Sequence, residues 1–181
     1  MYDFSEMKPE IHPETFIAEG VRIVGRVILG RGVSVWYNSV LRADIATITI
    51  GENTNIQDNC VVHVDFGLDT VLGANVTVGH GAILHACRIG DNTLIGMGAI
   101  LLDGAVIPEN SIVGAGSLVP PKKTYPAGTL ILGSPAKVAR ALGEEEIRHL
   151  VEHAGLYVSF WKAYAARGIG GFEPHPPVRR P

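Results

Sequence analysis

The chain has 181 residues, 46% of them hydrophobic, enough to fill the core of one domain. Fifteen basic residues against eighteen acidic ones give a formal charge of −3, so the basic stripe of a nucleic-acid-binding protein is lacking. Two cysteines without C-x-x-C spacing argue against a disulfide framework, and no stretch approaches the roughly 18 uninterrupted apolar residues of a membrane helix.

In chain order, residues 1–10 read as an N-terminal extension. Met1 to Glu14 is acidic and carries no apolar run, unlike a secretory signal, and a cytoplasmic protein with reduced thiols is expected. A six-residue period then begins. Ile11, Ile17, Ile23, Leu29, Val35 and Leu41 are spaced by six, Ile50, Ile56 and Val62 continue, Leu72 and Val78 follow, and Ile89 to Val119 run by six again. Glycine often follows the aliphatic residue, as at Gly51, Gly73 and Gly96, and a small or β-branched residue stands four places after it. A period of six fits neither a helix nor a flat strand. It fits a solenoid in which each hexad is a short parallel strand and a turn, three hexads close a coil, and the glycine permits the corner. Residues 11–124 are assigned to this β-helix.

The frame slips between Leu41 and Ile50, between Val62 and Leu72, and between Val78 and Ile89. Extra residues are expected to leave the coil as loops, where function concentrates. After Val119, prolines mark residues 125–142 as a connecting loop. Gly143-Glu144-Glu145-Glu146 is a helix start with acidic residues in the first turn, and apolar spacing predicts a helix over 143–167, packed outside the solenoid. The tail 168–181 is rich in Gly and Pro.

His63, His80 and His85 lie at or beside the second and third slips. Three neutral imidazoles with one open position suit a catalytic zinc ion, whose bound water ionises near pH 7 at about pKa 7. A histidine inside a repeat is otherwise a satisfied polar residue. His149 and His153 lie one helical turn apart, on a solvated helix face or as a second metal pair.

Trp36 to Asp44, Thr54-Asn55-Ile56-Gln57-Asp58, Val78-Gly79-His80, Leu84-His85 and Leu94 to Ala99 together resemble the γ-class carbonic anhydrases, members of the hexapeptide-repeat proteins. The resemblance implies a left-handed β-helix, although the general crossover rule favours the right hand. It implies a homotrimer with active sites between subunits, the ligands matching His63 and His85 from one subunit and that matching His80 from its neighbour. Zn2+ is the implied metal, with Fe2+ or Co2+ as substitutes, and the implied reaction is reversible hydration of CO2 to bicarbonate. Arg42 and Asp44 match a pair that bridges subunits, Asn55 and Gln57 match residues that bind the metal-bound water, Asp58 a neighbouring acid, and Tyr157 a tyrosine reaching in from the helix. The founding type uses glutamates on an acidic loop as proton shuttles. Here Val64 to Asp69 is short and has no Glu, so the implied hydration is expected to be weak.

Two other functions use the same scaffold: a CoA-dependent acyltransferase with one histidine as general base, and a non-catalytic subunit keeping a structural metal.

Overall fold

A computed structural model describes residues 7–170. The remainder of the N-terminal extension and of the tail, with His175, lies outside the described residues. The protein is a left-handed parallel β-helix of hexapeptide repeats with one C-terminal helix alongside. The hexad aliphatics from Ile17 to Val119 point inward and are buried, as are the small residues four places on, among them Val33, Cys60, Ala82 and Ala99. Burial raises the thiol of Cys60 to about 11 and that of Cys87 to about 12, so both behave as small core residues.

Each coil lays its strands on three ladders. One ladder runs Val40, Val61, Ile83, Ile100, Leu118; a second runs Thr49, Val71, Arg88, Val106. The third runs Ser34, Asn55, Thr77, Leu94, Ile112, Leu130. Strands Arg22–Leu29 and Val40–Ile50 turn a corner without a break and join the first two ladders into one ten-stranded sheet. The first frame slip is therefore a continuous strand, not a loop. The second slip does leave the coil: Asp65 and Leu68 exchange backbone hydrogen bonds of 3.1 and 3.0 Å around Gly67. The third is a shortened corner at Ala86, whose φ is 47°.

The corners are not made by the glycines that follow the aliphatic residues. Those glycines have ordinary φ and serve close approach between coils: a Cβ on Gly96 would sit 2.4 Å from the backbone nitrogen of Ala115. The left-handed corner residues are asparagines and a second set of glycines, among them Gly32, Gly98 and Gly116. Asn53, Asn75, Asn92 and Asn110 have φ of 57°, 54°, 53° and 57°. Their side-chain amides form a ladder, Asn53 donating to Asn75 at 3.4 Å, Asn75 to Asn92 at 3.0 Å and Asn92 to Asn110 at 3.1 Å. Asparagine tolerates this backbone region better than other side-chain-bearing residues.

The segment expected as a connecting loop holds two strands. Thr129–Gly133 adds a further parallel strand onto Ile112–Val113, and Ala136–Ala141 returns antiparallel on it. Pro126 and Pro135 flank these strands rather than interrupt them, which is why the proline signal misled. The helix Glu144–Ala165 follows. Gly143 N–H donates to Glu146 at 2.9 Å, and Arg140 grips the same carboxylate with two bonds of 2.8 Å, which pull Glu146 down to about 2. Leu150, Ala154 and Trp161 are buried, and the helix lies against strands Ser34–Val35 and Thr77–Val78. Among the described residues no helix is long and apolar enough to cross a membrane.

Candidate active site

The site residues expected from the sequence fall into two separate groups. The first stands on the first ladder, where Arg42, His63 and His85 share one register on successive coils. This stacking puts their side chains side by side. Arg42 binds Asp44; the other carboxylate oxygen of Asp44 lies 3.1 Å from His63 Nε2; His63 Nδ1 lies 3.1 Å from His85 Nε2; and His85 Nδ1 meets Asp103. Burial raises the Asp44 carboxyl, but the hydrogen bonds from Arg42 and His63 outweigh it and hold the group below the usual carboxylate range. Asp103 was missed by sequence reasoning; it sits one coil beyond His85, and only the coil spacing would have flagged it.

The second group lies beneath the helix. His80 Nδ1 is 2.8 Å from Asp58 Oδ2, while Asp58 Oδ1 accepts from the backbone of Tyr37 at 3.1 Å. Gln57 Oε1 accepts from the His80 backbone at 3.2 Å and Gln57 Nε2 donates to Asn55 at 3.3 Å. Asn55, wholly buried, donates to Thr77 Oγ1 at 2.9 Å. Thr77 Oγ1 also meets His153 Nδ1 at 3.2 Å. Burial pushes His153 below its ordinary value. His149 instead faces Glu152 in the open at 3.7 Å, so the two helix histidines do not pair.

Two cavities meet at His80. One, of about 370 Å³, is walled by Trp36, Tyr37, Tyr157, Phe160 and Tyr164 with Asp58. The other, of about 350 Å³, is an apolar groove under the helix, crossing three coils at Thr77, Leu94 and Ile112, with Gln57 and His153 at its side. Tyr157 borders both, and burial followed by the nearby Asp58 charge raises its hydroxyl. Tyr157 was expected at a site, but Trp36, Tyr37, Phe160 and Tyr164 were not, and His153 was considered only as half of a metal pair with His149. Trp36-Tyr37 stood in plain view in the sequence, but nothing there aligned it with the helix.

Residues 86–121 match the family model described as bacterial transferase hexapeptide (six repeats). A carbonic anhydrase of Geobacillus kaustophilus is 44% identical, with 92% of this chain and 91% of that protein covered. The chain belongs to the hexapeptide-repeat, left-handed β-helix superfamily, which includes γ-carbonic anhydrases and related acyltransferases. The mitochondrial γ carbonic anhydrase 2 of Arabidopsis thaliana is 40% identical across 93% of this chain, which spans 63% of that protein's length. A solved hexapeptide transferase family protein from Anaplasma phagocytophilum is 45% identical, with a TM-score of 0.85 and 88% and 95% of the two chains covered. A perosamine N-acetyltransferase from Caulobacter crescentus, solved with CoA and GDP-perosamine, is 28% identical with a TM-score of 0.53, covering 74% of this chain and 57% of that one.

The expectation of a zinc-dependent carbonic anhydrase is corrected by the site itself. Among the described residues no group of three or more His, Cys, Asp or Glu side chains is arranged to hold a metal ion. Zinc needs imidazole lone pairs converging at about 2.0–2.1 Å. The outer nitrogens of His63 and His85 are held by Asp44 and Asp103, and their inner nitrogens face one another at 3.1 Å. His80 stands apart from this pair within one chain, as the implied split of the ligands between subunits requires, and its Nδ1 is held by Asp58. The residues do not fit Zn2+, Fe2+ or Co2+, and metal-bound hydroxide as the source of CO2 hydration falls with them.

Proposed function

We propose that the protein is a CoA-dependent acyltransferase whose general base is His80. The observation that carries this reading is the oriented His80–Asp58 pair at the junction of two cavities. A proton on Nδ1 directed at the carboxylate leaves the Nε2 lone pair for the acceptor. The groove across Thr77, Leu94 and Ile112 suits the apolar pantetheine arm of an acyl thioester, and the aromatic cavity suits the acceptor. The acceptor's amine or hydroxyl attacks the thioester carbonyl as His80 takes its proton. The C–S bond then breaks, and the thiolate leaves and recovers that proton. The Tyr157 hydroxyl, kept protonated by its raised pKa, donates to the developing oxyanion. Gln57 and Asn55 fix the backbone of His80. The relatives solved as a transferase family protein and as an N-acetyltransferase with CoA support the reading.

Arg42, Asp44, His63 and His85 take no part in this chemistry. Their ladder carries half-exposed Val61 and Ile83 on the same strands, which supports a homotrimer packed through this face. Two buried free thiols support a reducing, cytoplasmic setting.

The test is a thiol-release assay with acetyl-CoA and a panel of amines and alcohols. Wild type is expected to release free thiol with at least one acceptor. His80→Asn is expected to lose about 10²- to 10⁴-fold in kcat/KM with acetyl-CoA binding retained. Undiminished transfer in His80→Asn, or no acetyl-CoA binding by wild type in calorimetry, sinks the reading.

A further inference from the structure

The aromatic cavity has more rings than anchoring a helix requires, and they are placed as walls. Tyr157 and Tyr164 stand nearly perpendicular to the Trp36 indole, at 82° and 81°, with centroids 5.7 and 5.4 Å away. Phe160 continues the wall from Tyr157 at 5.6 Å and is 48% exposed. Rings that only pack fill their space; these leave about 370 Å³. No lysine or arginine lines that space, and its one charged side chain, with the imidazole neutral, is the carboxylate of Asp58.

We infer that this cavity binds an alkylated ammonium group, so that the ligand held beside His80 is an organic cation. Ring faces attract a poorly hydrated cation through their quadrupole, and a carboxylate behind them adds Coulomb attraction in a site with little water. A neutral group of the same shape gains only the apolar contact. Calling this ligand the acyl acceptor rests on the transfer reading above; its binding does not.

The experiment is calorimetric titration of the full-length protein with choline and, separately, with 3,3-dimethyl-1-butanol, its uncharged carbon isostere. Choline is expected to saturate the site and to bind about tenfold or more tightly than the isostere. Phe160→Leu, an exposed change that leaves the core intact, is expected to weaken choline several-fold. Asp58→Asn is expected to abolish the preference for charge. Equal binding of the two probes, or no saturable choline binding, overturns the inference. If choline binds selectively but acetyl-CoA does not bind at all, the cation site stands and the transferase reading falls.

Discussion

At the residue scale, one imidazole illustrates how burial sets charge. His153, on the inner side of the helix, is bonded to Thr77 Oγ1, and its ring lies tilted 5.4 Å from that of Tyr157. Burial lowers its pKa from the ordinary 6.5, so the unfolded chain binds this proton more tightly than the folded one. The stability so gained is complete above pH 6.5 and is lost as pH falls through the lower folded value. Thermal melting of wild type between pH 7.5 and 5 is therefore expected to fall more steeply than that of His153→Gln, whose amide keeps the Thr77 bond without the charge. Parallel curves for the two proteins would remove the assignment.

At the element scale, the corners decide more than the strands. Most strands are two residues long and contribute few bonds each, so the left-handed corner residues must be held in place by their own contacts. Asn75 is bonded above and below by its amide neighbours. Asn75→Ala is expected to cost about 2–3 kcal/mol in urea denaturation, from the left-handed backbone and the two lost bonds together. Asn75→Gly keeps the conformation and is expected to lose only about 1 kcal/mol. The hexad aliphatics were legible because a period of six has one physical reading and each of them fills the same column. The corners were not, because glycine after the aliphatic residue is needed for coil-to-coil approach, a demand that a one-dimensional pattern cannot separate from turning. The strand pair after Pro126 was hidden for a similar reason: its pairing partners, Ile112–Val113, lie a coil away.

At the scale of the molecule, stacking decides which of the expected polar residues meet within one chain. Coil spacing brings His63 and His85 together, as their sequence separation of 22 suggests. His80 lies only five residues before His85, yet a corner separates them and turns His80 toward the helix. Closeness in sequence was thus misleading, and the register was the better guide. The outward ladder through Val61 and Ile83 sets the assembly expected here. Light scattering should give a trimer for wild type, and Val61→Lys with Ile83→Lys should give a monomer with an unchanged β-type circular dichroism spectrum, since both side chains point away from the core. A wild-type monomer would contradict this expectation.

The reversed strand Ala136–Ala141 has a consequence of a different kind. A column of identical parallel coils contains no instruction to stop, because its last coil offers the same backbone template as every earlier one. Along the ladder that ends at Thr129–Gly133, the chain turns back and pairs antiparallel, and it places Lys137 and Arg140 on the outermost strand. A second molecule arriving head-to-tail meets a strand of the wrong direction and the charge of Lys137. The protein can therefore repeat one motif from Ile11 to Val119 and still end its column rather than seed a fibre.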